Sequence, residues 1–257
     1  MGIFLKDINL KGKTALITGA TKGLGRGAAI AIAEAGGNVI AIGRNQSELN
    51  SLKNQIKKFK VKYLQFNCDV NNYNRMESFI SNLKKLDILV NNAGNNRPQY
   101  FTKVSQDNMN YLTDLNMKAA FNVAQLCSQK MVKAKNRKKI GGSIIHMSSQ
   151  LGKVGCEGRN VYNMNKFGVE GLARGMACEL APFNIRVNTI CPTFVETPMV
   201  KNFFKNKKFK NKMLKNIPLG RVAKESDVAT AVAFLAADSS EMITGTSLLV
   251  DGGWTAQ

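Results

Sequence analysis

Several residue types are scarce in this sequence, and each shortage argues against a class of protein. The 257 residues include a single histidine and five scattered cysteines, which are His146, Cys68, Cys127, Cys156, Cys178 and Cys191. Because the cysteines are odd in number and form no CxxC pair, free thiols are favoured over a disulfide framework or a zinc site. His146 lies in an apolar, strand-like run without companion ligands, so we expect a structural histidine and no bound metal.

Long apolar runs and targeting signals are also missing. No apolar stretch approaches the ~18 residues that a membrane-spanning helix needs. The segment Met1–Asn9 has neither the basic region nor the cleavage site of a secretory signal. We therefore expect a cytoplasmic protein that does not associate with membranes.

Acidic residues are few, since 17 Asp and Glu stand against 37 Lys and Arg, for a net charge of +20. The excess is concentrated in Lys57–Lys62, Lys133–Lys139 and Lys201–Lys215. Basic patches can bind nucleic acid, but no aromatic residues interleave here as a base-stacking surface would require. We favour solvated helix ends and expect no nucleic-acid partner. Lysines beside a cleft would also attract an anionic cofactor or substrate.

Short apolar runs alternate with amphipathic stretches along the whole chain, with no repeat or linker that would divide it. Predicted strands are Thr14–Thr18, Val39–Gly43, Lys62–Phe66, Ile88–Asn91, Ser143–Ser148, Arg186–Cys191 and Ser247–Val250. Predicted helices are Leu24–Ala35, Gln46–Lys58, Asn74–Lys84, Gln106–Lys133, Val161–Leu180, Lys201–Asn216 and Ser226–Ala236. Alternation of apolar strands with helices predicts one doubly wound α/β domain over residues 1–257, with a seven-stranded parallel sheet and helices on both faces.

A glycine-rich turn follows the first predicted strand. Thr18–Gly25 spaces its glycines as Gly-xxx-Gly-x-Gly before a helix begins. Glycine permits positive φ and close backbone approach, and a helix N-terminus offers free N–H groups to a pyrophosphate. After the first strand of a βαβ pattern, this turn predicts dinucleotide binding.

The end of the second strand indicates which dinucleotide is bound. An NAD site usually places a carboxylate there, but this strand ends in Ala41-Ile42-Gly43-Arg44 with no carboxylate. Arg44 can form a bidentate pair with a 2′-phosphate, and Lys22 in the glycine turn adds a second cation. We therefore expect NADP(H) to be preferred, with NAD(H) as the alternative.

A tyrosine and a lysine lie one turn apart on a predicted helix. Tyr162 and Lys166 are at positions i and i+4, so their side chains share a face. A nearby ammonium lowers the pKa of a phenol, which suits acid–base work on an alcohol. Ser149 follows a predicted strand, whose carboxyl end points to the ligand crevice. Asn116 is a polar residue in an apolar helix, where it either satisfies a backbone group or carries a water chain.

These motifs together resemble the classical short-chain dehydrogenase/reductase family over essentially the whole chain. The matching elements are TGxxxGxG at Thr18–Gly25, NNAG at Asn91–Gly94, and the tetrad Asn116, Ser149, Tyr162 and Lys166. The resemblance implies a Rossmann fold and an enzyme that interconverts a carbonyl and a secondary alcohol. It also implies that Tyr162 transfers the proton, Ser149 polarises the substrate oxygen, Lys166 lowers the tyrosine pKa and binds the nicotinamide ribose, and Asn116 holds a relay water.

The resemblance further implies a set of cofactor contacts that runs through the chain. These residues are Gly19, Thr21, Lys22, Gly23, Leu24, Gly25, Arg44, Asp69, Val70, Asn92, Ala93, Gly94, Tyr162, Lys166, Pro192, Thr193, Val195 and Thr197. Where the family usually has Pro-Gly, this chain has Pro192-Thr193, and the added side chain should narrow the approach to the nicotinamide. Ser148 precedes Ser149, and the spacing alone assigns the role to Ser149.

The substrate is indicated less directly. Residues 193–218 correspond to the family's substrate-covering segment, whose tip over residues 202–210 mixes aromatics with lysines. Polar residues expected around the pocket are Asn95, Asn96, Arg97, Gln150, Glu157, Arg159 and Thr193. They favour a sugar acid, ketose or polyol. The segment Val250–Gln257 resembles gluconate 5-dehydrogenases and, less closely, 3-oxoacyl-carrier-protein reductases. The complete tetrad argues against a non-catalytic nucleotide or nucleic-acid binder.

Two of the predicted helices carry many small residues. Gln106–Lys133 and Val161–Leu180 include Ala119, Ala120, Ala124, Gly168, Gly171, Ala173 and Gly175. Small residues permit close helix packing, and the family resemblance implies that these helices form a subunit interface in a homotetramer or homodimer. Burial within a single subunit is the alternative.

Overall fold

The computed structural model describes residues 7–197, 200 and 204–256. Its centre is a seven-stranded sheet in which every pair of neighbours is parallel, in the order β3-β2-β1-β4-β5-β6-β7. The strands are β1 (Thr14–Thr18), β2 (Asn38–Gly43), β3 (Tyr63–Asn67), β4 (Ile88–Asn91), β5 (Gly142–Met147), β6 (Ile185–Pro192) and β7 (Ser247–Val250). The predicted doubly wound parallel sheet is confirmed.

Helices connect the strands and cover the sheet. They are α1 (Gly23–Glu34), α2 (Gln46–Ile56), α3 (Tyr73–Ser81), α4 (Gln106–Thr113), α5 (Ala119–Val132), α6 (Arg137–Ile140), α7 (Asn160–Leu180), α8 (Lys207–Lys215) and α9 (Glu225–Ala236). The helix predicted from Lys201 begins at Lys207 in the described part, and its residues 201–203 lie outside the described residues.

Alternation along each strand divides the core between the two faces of the sheet. In β1, Ala15 and Ile17 join one apolar cluster and Leu16 joins the other. The first cluster takes residues of α1, α2 and α9, while the second takes residues of α3, α5 and α7. Because both faces are covered, the central strands are apolar along nearly their whole length, as a parallel sheet requires.

The prediction of one continuous helix over Gln106–Lys133 is wrong in one respect. A π turn over Asp114–Lys118 separates α4 from α5. The wider turn places the Asn116 side chain on the loop that follows β4, while Leu115 and Ala119 stay in the core. π-helices occur mostly as single turns inside α-helices, and such turns are frequent at functional sites.

The basic patches are solvated only in part. The lysines of 57–62 are exposed, as are Lys205, Lys207, Lys208, Lys210, Lys212 and Lys215 near α8; residues 201–203 of that patch lie outside the described residues. Arg137, inside Lys133–Lys139, is instead buried, with Nη1 3.3 Å from Asp87 Oδ1. It also donates to the carbonyls of Met131 and Leu86 at 2.9 and 2.7 Å. Burying a charge is unfavourable unless it is paired and hydrogen-bonded, so Arg137 is structural and contradicts the solvated assignment.

None of the described helices combines the length and the apolar character that crossing a membrane requires.

Candidate active site

The carboxyl ends of the central strands open into a cavity of about 520 Å³. Residues following β1, β2, β4, β5 and β6 line it. In open parallel sheets ligands bind in this crevice, where the order of the strands reverses. That reversal lies between β1 and β4, and Thr18 joins the two strand ends. Its Oγ1 accepts hydrogen bonds from the backbone N of Asn92 and Ala93 at 2.9 and 3.0 Å.

The glycine turn has the geometry of a phosphate-binding loop. Gly19 and Gly23 have φ of +64° and +51°, a region that favours glycine. A Cβ on Gly25 would overlap the carbonyl oxygen of Gly19. Lys22 is the N-cap of α1, and within the described part of the chain its side chain makes no capping hydrogen bond. The first N–H groups of the helix therefore face the cavity without a side-chain cap. This arrangement fits the pyrophosphate of a dinucleotide.

The predicted cofactor residues converge on this one cavity. All of them line it except Gly25 and Pro192. Gly25 packs behind the loop, where its missing side chain permits the tight turn. Thr193 is buried, lines the cavity, and its Oγ1 has no hydrogen-bond partner among the described residues. This placement is compatible with the expected narrowing at the Pro192-Thr193 departure.

One expectation about the end of the second strand is wrong. The sequence indicated no carboxylate near Arg44, but Asp69, which follows β3, lies beside it. Arg44 Nη1 is 3.4 Å from Asp69 Oδ2, and the two side chains are 70% and 40% exposed. Neighbouring parallel strands end at the same edge, so residues 25 positions apart in sequence meet there. A 2′-phosphate at Arg44 would share that guanidinium with a carboxylate.

Tyr162, Lys166 and Ser149 line the same part of the cavity. Tyr162 and Lys166 project from one face of α7, with Lys166 Nζ 5.5 Å from the centroid of the tyrosine ring. Lys166 Nζ donates to the carbonyl of Met147, at the end of β5, at 2.6 Å. Ser149 caps the short turn after β5, where its Oγ accepts from Leu151 N at 3.1 Å and donates to Gln150 Oε1 at 2.9 Å.

Burial dominates the electrostatics of this group. It raises the pKa of Tyr162 to about 12, and a hydrogen bond with Ser149 and the charge of Arg159 oppose it only in part. The sequence predicted that Lys166 would lower this pKa; the ammonium is instead directed at Met147 O, and the net shift is upward. Burial also lowers the pKa of Lys166 to about 8. Tyr162 is therefore a protonated phenol at neutral pH.

Asn116 joins the π turn to the loop after β4. Its Oδ1 accepts from Asn95 N and its Nδ2 donates to Asn95 O, both at 2.9 Å. Asn116 was expected either to satisfy a backbone group or to carry a water chain. In the structure its side chain satisfies the backbone N–H and C=O of Asn95. A Cβ on Gly94 would lie 2.7 Å from Asn116 Oδ1, so the glycine of the NNAG motif makes room for this pairing.

A buried carboxylate that sequence reasoning missed lies one turn beyond Lys166 on α7. Glu170 Oε2 is 2.7 Å from Lys153 Nζ and accepts a hydrogen bond from Ser247 Oγ of β7. Cys191 Sγ of β6 donates to Glu170 Oε1 at 3.3 Å. Burial alone would raise the pKa of Glu170, but hydrogen bonds from Lys153 and Ser247 outweigh it and bring the value to about 2. No sequence motif links these partners, which meet only in the fold.

The outer end of the cavity combines an aromatic wall with a polar wall. Phe194 lies 6.0 Å from both Phe209 and Trp254 between ring centroids. The single tryptophan and Phe194 were missed as pocket residues, although both adjoin family motifs. The polar lining includes Asn95, Asn96, Gln150, Glu157, Arg159 and Thr193. Arg97 was expected there but stacks on Tyr111 at 3.4 Å from the ring centroid, outside the lining.

The histidine does not line the cavity. His146 is buried in β5, with Nδ1 3.5 Å from Asn91 Nδ2, and burial lowers its pKa to about 4. Within the described ranges, no three His, Cys, Asp or Glu side chains are grouped so that they could hold a metal ion.

Comparisons with known proteins agree with this geometry. The family model described as enoyl-(acyl carrier protein) reductase matches residues 19–255. A 3-oxoacyl-[acyl-carrier-protein] reductase of Thermotoga maritima is 34% identical, over 96% of this chain and 99% of that protein.

Two solved structures share the fold closely. The gluconate 5-dehydrogenase of Burkholderia cenocepacia, in complex with NADP and tartrate, has a TM-score of 0.91 at 28% identity, covering 97% of this chain and 98% of that one. Carveol dehydrogenase of Mycobacterium avium, in complex with NAD, has the same TM-score and identity, covering 97% and 99%. The chain therefore belongs to the classical short-chain dehydrogenase/reductase family, whose members are oxidoreductases that act on alcohol and carbonyl groups.

Proposed function

We propose that this protein is an NADP(H)-dependent oxidoreductase that interconverts a carbonyl and a secondary alcohol on a polar sugar acid, ketose or polyol. The observation that carries the proposal is the convergence of Tyr162, Ser149 and Lys166 on the cavity that the glycine turn opens. The nicotinamide cofactor, when bound, would supply or accept the hydride.

The proton is handled by the side chains of this chain. In reduction, Tyr162 donates the phenolic proton to the carbonyl oxygen, because burial keeps the phenol protonated across the neutral range. The Ser149 hydroxyl would exchange its bond to Gln150 Oε1 for one to the same oxygen and so stabilise the charge that develops there. Lys166, held between Met147 O and the tyrosine ring, would orient the ribose and stabilise the phenolate left behind.

NADP(H) is favoured over NAD(H) by the cations at the adenosine end. Arg44 and Lys22 both line the cavity, and a guanidinium binds a phosphate through two parallel hydrogen bonds. Asp69 weakens this preference by pairing with Arg44. Among related structures, the gluconate 5-dehydrogenase binds NADP and the carveol dehydrogenase binds NAD.

A polar substrate is favoured by the amide and charged side chains at the outer end of the cavity, where Asn95, Gln150 and Arg159 lie. The aromatic wall suits the C–H faces of a sugar-like carbon chain. Reduction of a 3-oxoacyl thioester is the second candidate, favoured by the resemblance to the Thermotoga maritima enzyme. We also propose that residues 1–257 form one domain, with residues 193–218 covering the substrate; Phe209 in the cavity wall supports this role.

Assembly into a homotetramer or homodimer is part of the proposal. Ala119, Ala120, Ala124 and Ala173 are buried inside the subunit, so their small size serves the core. Phe167 and Met164 are 49% and 44% exposed on α7. A Cβ on Gly171 or Gly175 would meet no described atom within 4 Å, so this face of α7 is open to a second helix.

The proposal is tested by following NADPH absorbance with ketoses, oxo acids, diketones and an acetoacetyl thioester. We expect turnover of a polar ketone, and expect Tyr162→Phe to lose at least about a hundredfold in kcat while NADPH still binds, because only the transferable proton is removed. Fluorescence titration of NADPH checks binding in the variant. A variant kcat within a few-fold of the parent would refute the assigned role of Tyr162.

A further inference from the structure

Arg159 lies at the start of the catalytic helix, beside the reacting tyrosine. It is the N-cap of α7, and its carbonyl oxygen accepts from Asn163 N at 2.7 Å, so the helix start fixes its backbone. Tyr162 follows three residues later, in the first turn of the helix. Both line the cavity.

The charge of Arg159 is felt at the reacting group. It acts to lower the pKa of Tyr162, which means that the guanidinium lies within electrostatic reach of the phenol. Burial lowers the pKa of Arg159 itself, so the guanidinium has lost part of its hydration. A partly desolvated cation in a ligand cavity is stabilised when an anion binds beside it.

The carboxylate of Glu157, two residues before Arg159 in the sequence, pairs with Lys212. Glu157, which also lines the cavity, has Oε2 3.6 Å from Lys212 Nζ on α8. Glu157 therefore spans the mouth of the cavity toward α8. The cavity lining also includes the amides of Asn96 and Gln150, and Asn96 Oδ1 is buried with no hydrogen-bond partner among the described residues.

We propose that Arg159 binds a carboxylate of the substrate next to the carbonyl that Tyr162 protonates, and that the enzyme thereby selects oxo acids over neutral ketones. The planar guanidinium matches the two oxygens of a carboxylate, which share a negative charge that a neutral hydroxyl or ester lacks. This inference rests on the proposed carbonyl reduction. It narrows the substrate class from polar carbonyl compounds in general to those that carry an acid group.

The test compares an oxo acid with its methyl ester, in the parent and in Arg159→Gln. The two substrates use the same tyrosine, so the ratio of their kcat/KM values cancels any effect of Arg159 on Tyr162. We expect the parent to favour the acid by about ten- to a hundredfold, the range that one charge-assisted hydrogen bond gives. Arg159→Gln should reduce that ratio to near one, and Arg159→Lys should retain part of it.

Lys103→Gln is the matched control, because Lys103 is exposed outside the cavity and its loss changes the net charge equally. It should keep the parent ratio, and NADPH titration checks that each variant is folded. A parent that favours the ester, or an unchanged ratio in Arg159→Gln, overturns the inference while leaving the reductase proposal intact. Absence of turnover with every carbonyl compound would refute both.

Discussion

At the scale of single residues, the pairing of Arg44 with Asp69 bears on the proposed preference for NADP(H). The guanidinium is mostly exposed and lies 3.4 Å from the carboxylate. A 2′-phosphate would gain a charge-assisted bond to Arg44 and would be repelled by Asp69, whereas the ribose hydroxyls of NAD(H) could donate to Asp69. Arg44 would therefore favour NADP(H), and Asp69, at the same end of the cavity, would favour NAD(H).

Arg44→Asp should erode or invert the preference for NADPH over NADH. Loss of one charge-assisted bond corresponds to about 1.5–3 kcal/mol, or roughly ten- to a hundredfold in kcat/KM for NADPH. NADH turnover should change less, because its ribose lacks the phosphate. The measurement is kcat/KM for both cofactors, with Lys57→Asp as an exposed control of equal charge change outside the cavity. A parent that already prefers NADH would disprove the role given to Arg44 and Lys22.

At the scale of elements, one side of α7 both lines the cavity and anchors the helix, while another side faces outward. Tyr162 and Lys166 face the cavity, Glu170 is buried against β6 and β7, and Phe167 and Gly171 face outward. The buried carboxylate ties the helix to Lys153 in the loop after β5 and to Ser247 of β7. The position of Tyr162 thus depends on contacts made two turns further along the same helix.

Glu170→Gln should destabilise the protein by about 3 kcal/mol, because it leaves Lys153 largely buried without its counter-charge. The folded-state pKa of Glu170 is about 2, below its ordinary 4.5, so the carboxylate stabilises the fold fully above about pH 4.5. That contribution is lost as the pH falls toward 2. Urea unfolding of parent and variant should therefore differ most near neutral pH and converge in acid.

Glu179→Gln, an exposed change on the same helix, serves as the control and should unfold like the parent at every pH. A difference between the parent and Glu170→Gln that stays constant from pH 6 down to pH 2.5 would contradict the ionised state assigned to Glu170.

Some features could be predicted because they depend on residues close together in sequence. Others could not, because they depend on contacts between distant segments. The strands, most helices and the Tyr162–Lys166 pair follow from local periodicity and spacing. The π turn depends on Asn116 meeting Asn95, and the Glu170 cluster depends on four separate segments. Asp69 beside Arg44 likewise needs the pairing of β2 with β3. Such contacts are set by tertiary structure and leave no pattern within a short window of sequence.

At the scale of the whole molecule, the open face of α7 bears on assembly. We expect light scattering to give a mass near two or four times the 28.2 kDa of one chain. Gly171→Arg should lower that mass, because the added side chain fits the subunit yet prevents close approach of a second helix. Circular dichroism should remain that of the parent.

The exposed change Asn54→Arg on α2 adds the same charge elsewhere and should leave the mass unaltered. A parent that is monomeric at micromolar concentration would reject the oligomer outright.

The bond between Glu170 and Ser247 also has a consequence for synthesis on the ribosome. Tyr162 and Lys166 emerge well before β7, yet the helix that carries them is hydrogen-bonded through Glu170 to a serine of that strand. Until residue 247 has left the exit tunnel, Glu170 lacks one of its donors and β6 lacks a neighbour. A nascent chain would thus lack these contacts around α7 until β7 has been synthesised.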